Sequence, residues 1–298
     1  MAIAGQAVEQ GLQTVDLAAA ELTWRERLQI VARENKLATA GVVVIALVVV
    51  AAFVVPIFYA VDPQLTDASA TLQAPSAGHV LGTDFYGRDI LARLIHATKL
   101  DLRISVSVTA LALLVGAMIG ALAGYVGGFL EDVAMRLTDL ALSFPAFILA
   151  LAITAMLGNR VTWVIIALAI AYTPYFIRLT RGEVLKIRDG EYADAARAVG
   201  NPAWRVAYRH VFPNAIAPAF VLGTLVLGWS ILDASALGFL GIGIQPPTAE
   251  WGTMVADGSA NITTGQWWTW LFPGLTILIV VLAFNWAGDG LRNLVRSA

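Results

Sequence analysis

The chain has 298 residues, of which 58% are hydrophobic and 13% are charged, and its formal net charge is -2. Soluble globular domains carry about 25% charged residues, so this composition excludes an ordinary soluble domain and indicates a polytopic membrane protein. The sequence contains no cysteine, which excludes disulfide bridges, thiolate metal sites and a cysteine nucleophile.

The N-terminal tail, residues 1–36, is mixed in polarity. No short apolar core in it precedes a small-residue cleavage site, so we expect a retained tail and not a removable signal peptide. The first transmembrane helix is predicted at residues 37–61, because the run from Ala38 to Ala60 carries no charge and exceeds the roughly 20 residues that a span needs.

Residues 62–100 are predicted to form a loop on the far side of the first span. Two strings in it, Gly82-Thr83-Asp84 and Gly87-Arg88-Asp89, indicate turns and caps for a helix that begins at Ile90. A metal or phosphate role for His79 is the alternative, but the glycine spacing does not fit a phosphate-binding loop.

The second span is predicted at Ile104–Val126. Gly116, Gly120 and Gly124 recur every four positions in it, which places them on one helix face and favours close approach of another helix. The four remaining spans are predicted at Leu140–Leu157, Val161–Ile177, Ala215–Leu240 and Trp267–Ala287. The fold class is therefore all-α with six transmembrane helices.

The longest charged passage between spans starts after Asp189-Gly190, a turn signal that interrupts the helix running down from the fourth span. Glu191 and Asp194 then lie in the first turn of a new helix, where negative charge suits the helix dipole. Gly200 is expected to end that helix.

A second short helix is predicted to begin at Asn201-Pro202, with Asn201 as N-cap, and to end at Phe212-Pro213. A helix-turn-helix that is connected at both ends to membrane helices can be displaced by a partner and can move both spans with it. The alternative is an ordinary helical hairpin that only connects the fourth and fifth spans.

With six spans, both termini lie on one side of the membrane. Fourteen of the 19 Lys and Arg residues fall on the side of the termini and of the charged passage. The positive-inside bias therefore places the tail, the charged passage and the C-terminus in the cytoplasm.

No catalytic motif is present: the sequence lacks GxxxxGK[ST], HExxH and GxSxG. The chain is predicted to be non-catalytic, so any energy source must be a partner.

Asp194-Ala195-Ala196, followed by Gly200 and by Val211-Phe212-Pro213, resembles the EAA loop of ABC-importer permeases. In that family this loop docks into the ATPase subunit. One departure is Asp194, where the family usually carries Glu; the shorter side chain keeps the charge.

Further strings are similar to the C-type permeases of the dipeptide, oligopeptide and nickel branch. They cover the chain from about residue 79 to the end, and include His79–Asp89, Ala236–Gly241, Gln245-Pro246-Pro247, Trp251-Gly252, Phe272-Pro273-Gly274 and Phe284–Arg292.

The resemblance implies the type I importer permease fold, with a transmembrane core at 101–298 and a coupling loop at 182–214. It implies one half of a translocation path in a bacterial inner membrane, paired with a second, homologous permease. Two partner ATPase subunits would bind ATP and Mg, and an extracytoplasmic binding protein would deliver the substrate. The chain itself would carry no cofactor and bind no nucleic acid.

Di- or oligopeptides are the implied substrates, and nickel chelates or glutathione-like solutes are the alternatives within the same architecture. A secondary transporter or a channel is a further alternative, but no internal inverted repeat is visible, and neither would need a docking loop of this form.

We expect Asp194, Ala195, Ala196 and Gly200 to lie at the ATPase contact. Arg205 and Arg209 lie four apart on one face of the second short helix, where they could bind the ATPase or hold anionic headgroups. The full set of predicted coupling residues is Glu191, Tyr192, Asp194, Ala195, Ala196, Gly200, Arg205, Arg209 and Pro213.

Asp233 is the only charge in the fifth span and a candidate for the translocation path. It lies about 27 Å along a helix that starts at Ala215, near the outer boundary of a core about 30 Å thick. One hypothesis pairs it with Arg88 or Arg93 of the outer loop. The other makes it an acid at the outer mouth that attracts the ammonium of an incoming peptide.

Overall fold

A computed structural model describes residues 35–296 of the chain. The predicted N-terminal tail therefore lies outside the described residues except at its last two positions. The described part is helical, apart from turns, loops and a single isolated β-bridge between Thr83 and Asp89.

Eleven helices, numbered in chain order, make up the described part together with a 3-10 turn at Ala68–Ala70 and a π-helical turn at Val206–Val211. They are α1 Lys36–Phe58, α2 Ile90–Val126, α3 Gly128–Leu142, α4 Ala146–Leu157, α5 Val161–Ile187, α6 Glu191–Ala198, α7 Ala203–Arg205, α8 Phe212–Ala215, α9 Ala217–Phe239, α10 Trp251–Ser259 and α11 Trp268–Arg296.

Five of these helices, α1, α2, α5, α9 and α11, are long and apolar enough to cross a membrane. The remaining predicted span, the third in chain order, is broken. The sequence pattern predicted one span at Leu140–Leu157, but α3 and α4 meet at 90°. Pro145 explains the break, because it lacks an amide hydrogen and restricts the residue before it. Counted as one span, the bent pair brings the candidate membrane spans of the described residues from five to six.

The most extensive helix contact joins α2 to α5 through the predicted glycine stripe. A Cβ on Gly116 would lie 2.7 Å from the carbonyl oxygen of Thr173, and one on Gly120 would lie 2.5 Å from that of Ile177. Gly124 approaches Arg181 in the same way. The prediction of close approach on this face is confirmed, because any larger side chain would force the two backbones apart.

Polar contacts join α2 to α9. The hydroxyl of Ser105 donates to the carbonyl oxygen of Leu227 at 2.7 Å, and the hydroxyl of Ser230 donates to that of Ser105 at 3.0 Å. In lipid the hydrophobic effect does not drive helices together. Hydrogen bonds between hydroxyl groups therefore help to hold apolar helices in contact.

Candidate functional site

The first half of the coupling loop folds as its turn residues predict. Helix α5 ends at Ile187, Gly190 is the N-cap of α6, and α6 ends at Ala198. Gly200 follows with φ +81°. A left-handed conformation is unfavourable for residues with a side chain, so glycine is the residue that this turn requires.

The structure of the second half of the coupling loop corrects two predictions. Asn201 is not the N-cap of the next helix: its side-chain amide donates to the carbonyl oxygen of Ala196 at 3.0 Å, so it closes the end of α6 instead. The helical path also does not end at Phe212-Pro213, but continues to Ala215. Pro213 is tolerated there because it lies in the first turn of α8, where its missing amide hydrogen has no helical partner.

The inner face of the loop is an apolar cluster that joins it to two spans. Its buried members are Ala121 of α2, Val184 of α5, Ala193 and Ala196 of α6, and Val206, Val211 and Ala215. Ala196 is therefore turned inward in this chain, whereas its place at the ATPase contact stays a prediction. Its small side chain packs α6 against the spans.

The outer face carries most of the predicted coupling residues. Glu191, Asp194, Ala195, Gly200, Arg205, Arg209 and Pro213 are all exposed. The side chain of Tyr192 lies outside what the structure describes. Asp194 and Arg197 form an ion pair, and this hydrogen bond raises the pKa of the Arg197 guanidinium.

Two apolar residues on the outer face were missed by the sequence reasoning. Val199 is 79% exposed and Trp204 is 56% exposed, on either side of Gly200. The guanidinium of Arg205 lies 5.5 Å from the centre of the Trp204 ring. An exposed aromatic ring beside an arginine is typical of interface hot spots. Their signal was present in the sequence, because both are apolar residues within the charged passage, Val199 directly before Gly200 and Trp204 directly before Arg205.

Polar contacts tie the loop to the spans. Arg188 donates to the carbonyl oxygen of Gly124 at 3.0 Å, and the Tyr208 hydroxyl donates to that of Met118 at 3.2 Å. Arg181 forms an ion pair with Glu131 of α3. These contacts join the loop to α2 and join α5 to α3.

Asp233 of α9 has a different partner from the one predicted. It accepts a hydrogen bond from the hydroxyl of Tyr172, on α5, at 2.6 Å. Arg88 and Arg93 are both committed to Asp84, so the predicted pairing of Asp233 with either arginine is wrong.

The donor of this hydrogen bond, Tyr172, belongs to a cluster of three aromatic rings. The ring centres of Tyr172 and Trp229 are 6.4 Å apart, those of Tyr172 and Tyr175 are 6.1 Å apart, and those of Tyr175 and Trp229 are 6.4 Å apart. Tyr172 is buried, whereas Tyr175, Trp229 and Asp233 are half-buried. The carboxylate therefore reaches the surface of the chain at the edge of an aromatic cluster.

At the end of the bundle away from the coupling loop, residues 59–89 pack against residues 240–267; together we call these the cap. Arg88, only 4% exposed, lies 2.6 Å from Asp84 and 3.2 Å from Asp257. Arg93, only 2% exposed, also donates to the carbonyl oxygen of Pro63 at 3.1 Å. These arginines join the two segments of the cap.

His79 takes part in the cap and not in a metal cluster of the described residues. Its Nδ1 lies 2.9 Å from Oδ2 of Asp89, and the Tyr59 hydroxyl donates to the same oxygen at 2.9 Å. Burial raises the pKa of Tyr59 to about 12, so its hydroxyl stays a donor. Asp89 also caps α2 by accepting from the amide of Ala92, as its position predicted.

A pair of buried acids beneath the cap was not predicted. Asp101 of α2 accepts from the amide of Trp251 at 3.2 Å. The neighbouring Glu250, 0% exposed, caps α10 by accepting from the amides of Gly252 and Thr253 at 2.7 Å each. Burial raises the pKa of Glu250 to about 7. Two such acids in contact favour holding a proton.

The family model of the binding-protein-dependent transport system inner membrane component matches residues 116–297, more than half of the chain. This chain is a member of that permease family. A second model, the N-terminal TM domain of oligopeptide transport permease C, matches residues 24–75 of the permease.

Among curated relatives, the permease is 40% identical over 270 residues to the dipeptide transport system permease protein DppC of Alkalihalophilus pseudofirmus, covering 91% of this chain and 88% of that protein. It is 42% identical to the di/tripeptide transport system permease protein DppC of Pseudomonas aeruginosa, covering 87% of each. It is 33% identical to the glutathione transport system permease protein GsiD of Pectobacterium atrosepticum, covering 91% of this chain and 89% of that one.

A solved structure of the MetNI methionine ABC transporter in an inward-facing conformation aligns with the permease at a TM-score of 0.55. It covers 69% of this chain and 96% of the other, at 17% sequence identity. The shared fold is that of an ABC importer permease, and the chain is a multi-pass protein of the inner membrane.

Proposed function

We propose that this chain is a non-catalytic permease subunit of an ATP-driven importer of short peptides. The observation that carries the proposal is its identity of 40% or more, over about nine-tenths of its length, to permeases named for dipeptides and di/tripeptides. Its complex would contain a second, homologous permease, two ATPase subunits that bind ATP and Mg²⁺, and an extracytoplasmic binding protein.

The coupling loop would contact the ATPase through its outer face. Asp194 and Ala195 would approach the ATPase backbone, Gly200 would hold the turn, and the exposed Val199 and Trp204 would anchor in an apolar pocket. The inner cluster around Ala196 would keep α6 attached to α2 and α5. Closure of the ATPases on ATP would then rock these two spans and open the path on one side of the membrane at a time.

The positive-inside bias supports placing both termini and the coupling loop in the cytoplasm. The cap would then face the binding protein. Asp233, 16 residues beyond the start of α9, would lie about 24 Å from its cytoplasmic end, closer to the cap than to the coupling loop.

Import of glutathione-like solutes is the second candidate function, and the relative named for glutathione transport favours it. Nickel chelates have no such support among the relatives named above. If the chain were a secondary transporter or a channel, the exposed face of the coupling loop would have no ATPase to bind.

Uptake by the reconstituted complex tests the proposal. The chain is coexpressed with its neighbouring permease and ATPases, placed in proteoliposomes and supplied with its binding protein. We expect ATP-dependent accumulation of labelled dialanine, and little accumulation of glutathione. Transport by this chain alone, or transport without ATP, would contradict the proposal.

A further inference from the structure

We infer that Asp233, Tyr172, Tyr175 and Trp229 form a subsite for an organic ammonium group in the translocation path. The inference rests on the proposed function, because it assigns the part of a peptide that the path recognises. It extends the hypothesis of a lone acid by assigning three aromatic rings to the same site.

The carboxylate of Asp233 lacks a compensating charge. Within residues 35–296 it has the Tyr172 hydroxyl as its hydrogen-bond partner and no cation within ion-pair distance. An acid in an apolar span is expensive unless a partner or a ligand supplies the opposite charge. Because Asp233 is half-buried, one side of it remains open to such a group.

Tyr172 positions the acid. Its hydroxyl donates a hydrogen bond to Oδ2 of Asp233 at 2.6 Å, which leaves Oδ1 free to accept from another donor. Trp229 precedes Asp233 by four residues on α9, and Tyr175 follows Tyr172 by three on α5, so each pair lies on one helix face. The half-buried rings of Trp229 and Tyr175 form one aromatic cluster with Tyr172, whose hydroxyl contacts the carboxylate.

The chemistry of this arrangement matches an organic ammonium ion. Aromatic faces attract ammonium groups through the ring quadrupole, and the attraction grows where water is excluded. The carboxylate adds charge and a hydrogen-bond acceptor. The cation could belong to the substrate, as its N-terminal ammonium, or to a Lys or Arg of the second permease; the experiment separates these sources.

The chain contains no cysteine, so a single cysteine can serve as a reporter. In the full complex, Tyr175→Cys is treated with a trimethylammonium-ethyl or a sulfonato-ethyl methanethiosulfonate, and the labelling of this chain is followed by mass spectrometry. Each rate is divided by that reagent's rate with a free thiol, because a thiolate reacts intrinsically faster with the cationic reagent. We expect the normalised rate of the cationic reagent to exceed that of the anionic one at least about tenfold. In Tyr175→Cys/Asp233→Asn the two normalised rates should become nearly equal.

Leu232→Cys is the matched control, because Leu232 is exposed and adjacent to the acid but lies on a different helix face. It should show no preference that depends on Asp233. Equal normalised rates at Tyr175→Cys, or no labelling, would overturn the inference, since a partner cation at Asp233 would abolish the preference for a cationic reagent. Labelling needs no transport, so its outcome is separate from that of the proposed function.

Uptake gives the second readout. Asp233→Asn should lower uptake of a free-amine dipeptide about tenfold, as the loss of a charged hydrogen bond predicts, whereas Asp233→Glu should retain most of it. An N-acetylated dipeptide that the wild type accepts should be unaffected. Equal loss for both peptides, or loss of assembly, would contradict the ammonium subsite and leave Asp233 with a structural role.

Discussion

Charged residues are arranged in opposite ways at the two ends of the helix bundle. In the cap, Arg88 is almost inaccessible and lies between two aspartates, Asp84 and Asp257. In the coupling loop, Asp194 and Arg197 pair on the surface. Buried pairs fix the relative position of the segments they join, whereas exposed pairs are worth little to the fold. The cap is therefore held by its charges, and the coupling loop keeps its charges available for a partner.

The largest expected effect comes from breaking a buried pair in the cap. Arg88→Met leaves Asp84 with only the more distant Arg93, at 3.8 Å, and leaves Asp257 without its cation, which should lower the free energy of unfolding by about 3–5 kcal/mol. Arg178→Met is the matched control, because its ion pair with Asp139 is mostly exposed and should cost less than about 1 kcal/mol. Denaturant unfolding of both variants in detergent measures the difference, and equal losses would contradict the comparison.

The buried acids beneath the cap predict a dependence on pH. The pKa of Glu250 rises from 4.5 to about 7, so the folded state binds this proton more tightly than the unfolded state. The resulting stabilisation, on the order of 3 kcal/mol, should be complete below about pH 4.5 and lost as pH rises through about 7.

Glu250→Gln should remove this part of the pH dependence, because glutamine does not titrate. The measurement is the difference between the unfolding free energies of the wild type and the variant from pH 4.5 to 8.5, which cancels groups that both proteins share. Asp101, the acid that faces Glu250, remains in both, but the charge of Glu250 acts on it, so the difference reports the two acids as a pair. A difference that stays constant with pH would count against a proton held by Glu250.

Two glycine substitutions test the same comparison between the cap and the coupling loop, with smaller expected effects on stability. A Cβ on Gly252, in the cap, would lie 1.9 Å from the carbonyl oxygen of Ser235, so Gly252→Ala should destabilise the protein by about 1–3 kcal/mol. A Cβ on Gly182, at the start of the coupling loop, would meet no atom within 4 Å. Gly182→Ala should be neutral or stabilising by up to about 1 kcal/mol, because alanine favours a helix. Similar melting shifts would contradict the contrast.

The smallest expected effect concerns the exposed arginines of the coupling loop. Reversing both charges, in Arg205→Glu/Arg209→Glu, should reduce copurification of the ATPase about three- to tenfold, as expected for exposed charges. Unfolding stability should stay within about 0.5 kcal/mol of the wild type. Unchanged copurification with altered membrane orientation would favour the alternative, in which these arginines hold anionic headgroups.

Local signals predicted much of the fold. The stops at Gly190 and Gly200 and the cap at Asp89 depend on backbone geometry within a few residues, which the sequence displays directly. The stripe at Gly116, Gly120 and Gly124 depends only on helical periodicity. The broken third span was missed because a proline inside an apolar run predicts either a kink or a break, and tertiary packing decides between them.

Contacts between distant residues could not be predicted. Tyr172 lies 61 positions before Asp233, and nothing local distinguishes its hydroxyl from other donors. Asp101 and Trp251 are 150 positions apart, so the acid pair beneath the cap becomes visible only when α10 is placed against α2. Ala196 belonged to a recognisable string, but its inward direction depends on the packing of α6 on the two spans.

Gly200 offers the most direct test of the claim that the coupling loop transmits ATP-driven motion. Its φ of +81° excludes β-branched residues on conformational grounds, whereas asparagine tolerates this region. A Cβ there would meet no atom within 4 Å, so any effect arises from the backbone or from a partner. The measurement compares ATP-driven dialanine uptake by Gly200→Val and Gly200→Asn complexes of matched assembly. The account predicts a loss of more than about tenfold for valine and near-normal uptake for asparagine; normal transport by an assembled Gly200→Val complex would contradict it.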